Sequence, residues 1–327
     1  MKYLISGKVT AINNVYLHIN LYNLSVGALI FDESNEVLGE ILSSNNIETI
    51  AVSFTRKVYI DSVIYTYNNP YSYYLSPDKI GSITDIYGKS LYNHSFRRKL
   101  NIQDIELTLS QNRNTIVGRK QIRHQLMTGI RSIDLLYPLG VGQRIAVVAP
   151  AGIGKSTLIK QIAKNTFSDI NVIALVGERG REVSELINSN NFDCLSKSIV
   201  IYATSDSPPL ERINCLEIAL CISEYLRDEG LNVLFLVDSF TRYLRAHKEQ
   251  ALFLQEPPIY KSFPNSTITQ IAKILERASN SDKGTISTII TLLQESEDDE
   301  DPLINEVISV VDGHLFLCKE TQYKNIY

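Results

Sequence analysis

The residues best equipped for chemistry lie in the run Ala149-Pro150-Ala151-Gly152-Ile153-Gly154-Lys155-Ser156-Thr157. Glycines at 152 and 154 let backbone N–H groups curl around phosphate oxygens without Cβ clashes. A helix opening there adds its positive dipole end. Lys155 supplies a mobile cation for β- and γ-phosphates, and the Ser156 hydroxyl is a hard oxygen ligand for Mg²⁺. The first position of this phosphate-cradling pattern holds Ala149 where Gly is usual, which a negative φ would permit. Candidate nucleotide-binding residues are therefore Ala151, Gly152, Ile153, Gly154, Lys155, Ser156 and Thr157. Asp238 closes the apolar run Val233-Leu234-Phe235-Leu236-Val237. Its carboxylate is placed to support Mg²⁺ through water, so Ser156 and Asp238 form the candidate metal set. Glu178 follows another apolar run, and an ionised carboxylate there accepts a hydrogen bond from an attacking water. It is equally able to pair with Arg179 or Arg181.

Positioning these groups requires strands that end at one edge. From Thr128 onward apolar runs alternate with helical patterns: Arg144–Ala149 then Ser156–Lys164, Asn171–Gly177 then Arg181–Asn188, Ser198–Thr204 then Leu210–Arg227, Asn232–Asp238 then Thr241–Leu252. Near-continuous apolar strands of this kind are covered by helices on both faces of a parallel sheet. Ligands bind such sheets at the C-terminal strand ends, where Glu178, Ser205, Asp206 and Asp238 fall. In Leu210–Arg227, Ile213, Leu216, Leu220 and Leu226 recur at helical spacing, and Asp228-Glu229-Gly230 reads as its C-cap. Strands Gly284–Leu293 and Gly313–Lys319 follow. The first 75 residues read differently. Tyr3–Ala11, Val15–Leu21, Ala28–Phe31, Val37–Leu42 and Thr49–Phe54 alternate apolar and polar residues around Asn- and Ser-rich turns, the pattern of a small β-barrel. The tyrosines from Tyr59 to Tyr74 fit packing on a sheet face better than base stacking, because no Arg or Lys lies between Val58 and Asp78. The expected organisation is a barrel over 1–75, a linker and lead-in over 76–127 opening at Ser76-Pro77-Asp78, and an α/β core over 128–327.

Composition bounds the function. The chain has 327 residues, 44% of them hydrophobic and 21% charged, which excludes disorder and collagen-like repeats. Its net charge of −4 argues against a nucleic-acid partner, whose phosphates need a basic surface. No apolar run is long enough to cross a bilayer, and MKYLISGKVTAINN lacks the marks of a signal peptide, so an intracellular chain is expected. Cys194, Cys215, Cys221 and Cys318 form no C-x-x-C pair, and His314 near Cys318 has no second ligand pair; Cys215 and Cys221 fall within one apolar helical pattern, where core packing is the expected role.

Beyond these readings, several motifs resemble the ATPases of type III secretion and flagellar export, relatives of the catalytic subunits of rotary ATP synthases. They are Thr128-Gly129-Ile130-Arg131-Ser132-Ile133-Asp134, Gly142-Gln143-Arg144-Ile145, Val176-Gly177-Glu178-Arg179-Gly180-Arg181-Glu182-Val183, Asp238-Ser239-Phe240-Thr241-Arg242-Tyr243, Leu275-Glu276-Arg277-Ala278 and Asp312-Gly313-His314. The resemblance is dense from Thr128 to Leu317. It implies a small all-β barrel before a RecA-like P-loop ATPase core, assembly as a homo-hexamer, and ATP with Mg²⁺ as cofactors. It makes Glu178 the catalytic glutamate, alongside Lys155 and Arg179. It implies secretion chaperone–substrate complexes, a central stalk and stator proteins as partners, with the chain cytoplasmic and peripheral at the inner membrane's cytoplasmic face. Chaperone release and substrate unfolding would be the work. The acidic run Glu295-Ser296-Glu297-Asp298-Asp299-Glu300-Asp301 reads as a solvated loop, or by resemblance as a pore-side loop touching a basic stalk. At the C-terminus, Tyr327 stands where the family packs an aromatic on adenine. The arginine finger and helical domain that follow in the family have no counterpart, so a C-terminally truncated chain with slow turnover is expected. A non-hydrolysing nucleotide-binding subunit is the alternative of a different class, and a ring-shaped RNA translocase resembling transcription terminator Rho is a third.

Overall fold

A computed structural model describes residues 4–55, 57–93, 102–109, 119–150, 152–188, 195–260, 262–294 and 301–318. Ala151, Cys194, the acidic run from Glu295 to Glu300, and Tyr327 lie outside the described residues. The chain divides into two compact units, Met1–Tyr73 with Glu106–Gln111, and Tyr74–Ile105 with Asn112–Tyr327.

The first unit is a closed barrel of β1 (Ile5–Asn13), β2 (Tyr16–Ile19), β3 (Ala28–Phe31), β4 (Val37–Ser44), β5 (Thr49–Ser53) and β6 (Val63–Pro70), in the order β1-β2-β5-β4-β3-β6. Alternation sends Val9, Leu17, Ile19, Ala28, Ile30, Ile41, Ala51 and Ile64 inward as its core. Gly39 allows β4 to meet β5, because a Cβ there would lie 2.0 Å from the Val52 carbonyl oxygen. The tyrosines divide: Tyr71 and Tyr73 are buried, whereas Tyr59 and Tyr74 face solvent.

The second unit is built on one sheet. In chain order it holds β7 (Ser82–Thr84), β8 (Ser90–Asn93), β9 (Arg144–Pro150), β10 (Ile170–Glu178), β11 (Ser198–Thr204), β12 (Asn232–Asp238), β13 (Thr285–Gln294) and β14 (Gly313–Phe316). The spatial order is β14-β9-β13-β12-β10-β11-β7-β8, with every pairing parallel except β7 with β8. Two strands thus come from the stretch 76–127, immediately past a short turn at Pro77–Lys79. Among the described residues the helices include α1 (Arg131–Leu136), α2 (Lys155–Asn165), α3 (Gly180–Asn188), α4 (Pro209–Asp228), α5 (Phe240–Phe253), α6 (Asn265–Arg277) and α7 (Pro302–Val310). The expected barrel and parallel α/β core are both present.

Central strands β9, β10, β12 and β13 are buried along nearly their whole length. That matches their Val/Ile/Leu-rich sequences, since a strand covered on both faces has no polar side to show. Helix α4 is likewise buried on most sides, including Ile213, Leu216, Leu220 and Leu226, and Gly230 takes a φ of 91° just past it. Cys215 and Cys221 are buried within α4 as free thiols, and burial pushes both upward, Cys221 to about 11. They act as small core side chains. Among the described residues no helix is long and apolar enough to cross a membrane.

Candidate functional site

Parallel pairing places the C-terminal ends of β9, β10, β12 and β13 along one edge. Leu175 of β10 is in register with Asp238 of β12, and Pro150 of β9 with Gln294 of β13. Beyond β9 the chain turns through Gly152 (φ 83°) and Gly154 (φ 90°), and α2 begins at Lys155. A Cβ on either glycine would meet nothing within 4 Å. Left-handed backbone therefore accounts for these glycines, and the space over them stays open for a ligand. Ala149 lies inside the extended β9, where an L-residue is unstrained.

Lys155 and Ser156 converge on Asp238. Lys155 Nζ lies 2.9 Å from Asp238 Oδ1, and Ser156 Oγ donates to Oδ2 at 3.3 Å. Thr291 Oγ1 of β13 donates to Oδ1 at 2.8 Å. Three donors from two elements, α2 and β13, thus fix one carboxylate that is 4% exposed. Glu178, also 4% exposed, ends β10, and Arg242 from the first turn of α5 reaches it: Nη1 lies 2.6 Å from Oε1 and 2.6 Å from the Gly177 carbonyl oxygen. The Glu178 carboxyl is pushed up to about 7, chiefly by burial, then by a hydrogen bond to Glu182 and the field of Asp238; Arg242 opposes the shift.

A cavity of about 410 Å³ joins Lys155 and Ser156 to Glu178 and Arg242. Gly152, Gly154, Lys155, Ser156 and Thr157 form one side of it, and Glu178, Arg179 and Arg242 the other. Ile153, between the two glycines, is not part of that wall. Arg179 and Arg181 are exposed and add positive charge to it. The arrangement is suited to a polyphosphate: open backbone N–H groups and a helix N-terminus on one side, three guanidinium groups and an ammonium around the rest. The donor set fits Mg²⁺, which prefers a hydroxyl and a carboxylate with phosphate oxygens and water. Sequence reasoning assigned no role to Thr291, Arg242 or Glu182. Thr291 is a polar interruption near the end of an apolar strand, which is a readable signal. Arg242 sits in the quoted motif, but only the fold shows which carboxylate it meets.

The remaining motifs make contacts away from this edge. Thr128 N, Thr128 Oγ1 and Gly129 N all donate to the Asp134 carboxylate at 2.8–2.9 Å, closing the loop before β9. Arg144 at the start of β9 pairs with Asp312 at 2.8 Å and Glu276 at 2.7 Å, and Arg119 holds the other Glu276 oxygen. Arg277 and Glu224 form a buried pair at 2.7 Å between α6 and α4.

Residues 129–327 match the nucleotide-binding domain of the ATP synthase alpha/beta family. The chain is 44% identical over 210 residues to a type 3 secretion system ATPase of Xanthomonas euvesicatoria, covering 64% of this chain and 48% of that protein. It is 32% identical over 329 residues to a flagellum-specific ATP synthase of Borreliella burgdorferi, covering 98% of this chain and 74% of that protein. Among solved structures, the assembled ATPase EscN of the enteropathogenic E. coli type III secretion system superimposes with a TM-score of 0.87 at 33% identity, covering 98% of this chain and 77% of that one. The aligned region is about half the length of some curated relatives, 48% for the Xanthomonas protein and 54% for a flagellum-specific ATP synthase of Bacillus subtilis.

Proposed function

The chain belongs to the ATP synthase alpha/beta family, among the type III secretion and flagellar export ATPases, and from that premise we propose that it hydrolyses Mg-ATP to energise protein export. The convergence of Lys155 and Ser156 on Asp238, across one cavity from Glu178, carries this reading. In it, the turn from Gly152 to Thr157 holds the phosphates, and Lys155 leaves Asp238 for the β- and γ-oxygens when a nucleotide arrives. Ser156 and Asp238 would hold Mg²⁺, which neutralises phosphate charge when bound. Glu178, deprotonated, orients the attacking water, and Arg242 keeps its carboxylate turned into the site. Arg179 adds a cation for the charge that develops on the transferred phosphoryl group.

Ring assembly and stalk contact are inferred from EscN, which is known both assembled and in complex with its central stalk EscO. A homo-hexamer with a stalk in its pore is therefore proposed here too. Release of chaperone–substrate complexes, contact with stator proteins and peripheral association with the inner membrane complete the proposal. Steady-state Mg-ATP hydrolysis, measured with Lys155→Ala as background, tests it. Turnover that Lys155→Ala abolishes is expected. Nucleotide binding without turnover, equal in both proteins, would overturn hydrolysis as the function.

A further inference from the structure

Behind the phosphate cavity lies a second one, of about 250 Å³, wedged between α2 and α3 over β10. The two share Ser156, Glu178, Arg181 and Glu182, but the walls differ in kind. Here Ile159, Ala163, Ile173, Leu175, Val183 and Leu195 form the interior, each at most 6% exposed. Protein interiors are close-packed, so a void of this size among buried aliphatic side chains is an exception. Ordered water needs two to four polar partners, which these side chains lack, whereas apolar cavities of roughly 150 Å³ bind benzene. The charges ringing the cavity are unequal. Four carboxylates, Glu178, Glu182, Glu185 and Asp238, stand against Lys160 and Arg181. Asp238 is occupied by Lys155 and Thr291, and Glu178 by Arg242. Glu182 shares a hydrogen bond with Glu178, which leaves the exposed Glu185, one turn further along α3, to meet a ligand's charge.

We propose that this cavity, which adjoins the nucleotide pocket and reaches away from its phosphate-binding turn, is a binding site for a compact aromatic molecule carrying one cationic head. The ring fills the aliphatic space between α2 and α3, and the head faces Glu185 at the rim. Shape and charge both select this class: a larger body would not fit, and an anion would meet the carboxylates. A seated ring would also pin α3 against the strand that ends in Glu178. Slowed hydrolysis with nucleotide still bound is therefore expected, a consequence that rests on the ATPase reading, whereas binding itself does not.

The probes are benzamidine and its neutral isostere benzamide, titrated into the full chain by ligand-observed NMR, with and without saturating ADP. Benzamidine is expected to bind with a Kd on the order of 1 mM, unchanged by ADP, and benzamide more weakly. Ala163→Phe, which fills the cavity from α2, should weaken both by about tenfold or more. Glu185→Lys, at the exposed rim, should weaken benzamidine about fivefold and leave benzamide unaltered. Displacement of benzamidine by ADP would place it in the phosphate cavity and overturn the proposal. So would indifference to Glu185→Lys, a readout that stands even if Ala163→Phe fails to fold. Absence of binding at about 10 mM would do the same.

Discussion

At the residue scale, the site is governed by one carboxyl group whose proton is held more tightly than usual. Glu178 must be ionised to accept a hydrogen bond from water, and its pKa stands at about 7. Turnover should therefore fall about tenfold per pH unit below that value and level off above it. A pH–rate profile at saturating nucleotide checks this. The sign is the same whether burial or the Glu182 hydrogen bond dominates, since both favour the protonated form. Arg242 acts the other way, so Arg242→Gln should move the acid limb upward by about one pH unit as well as lowering the plateau. An unmoved limb would show that Arg242 does not govern Glu178. Linkage gives a companion effect: between 4.5 and about 7 the native chain keeps a proton that the unfolded chain releases, so this group makes the fold less stable as pH rises through that window. Thr291 offers a separate test. Removing its hydroxyl by Thr291→Val leaves Asp238 with Lys155 and Ser156 alone, and Mg-ATP hydrolysis should drop by about tenfold while Mg-free nucleotide binding changes little.

Elements succeed or fail as sequence signals according to how much of their burial is local. The central strands were legible because every residue of Val233–Val237 or Ile145–Ala149 is apolar, and their observed limits differ from the expected ones by a residue or so. The phosphate turn was legible because it is contiguous. Strands β7 and β8 were not: Ser82–Thr84 and Ser90–Asn93 are short, and β7 joins the sheet only because β11, more than a hundred residues later, pairs with its free side. Helices α6 and α7 were also missed. Leu275-Glu276-Arg277-Ala278 was read as a motif without its helix, so the Arg277–Glu224 pair between α6 and α4 could not be foreseen. That pair is 5% and 1% exposed, and it yields a prediction at this scale. Arg277→Met strands a buried carboxylate and should cost about 3–5 kcal/mol. Combining it with Glu224→Met removes both charges and should recover most of that loss. The urea midpoint of the α/β core's transition, compared across the two single variants and the double, measures the difference.

For the whole molecule, the question is whether one protomer's pocket is sufficient. Arg179 and Arg181 face the phosphate cavity from its exposed side, and the proposed ring is read as setting a neighbouring copy over that edge. A site completed across an interface makes turnover a property of neighbours, so its rate depends on concentration and on the company each subunit keeps. Mixing separates this from independent action. If wild-type chains are titrated with Lys155→Ala chains at constant total protein, independent protomers lose activity in proportion to the dilution. Coupled protomers lose it faster, because each inactive copy also silences the pocket it adjoins. An equal mixture should therefore retain well below half of the starting activity, and the specific activity of the unmixed protein should climb with concentration before it saturates. A strictly linear decline would mean that each cavity works alone, and the ring would then have to serve the handling of export substrates rather than the chemistry.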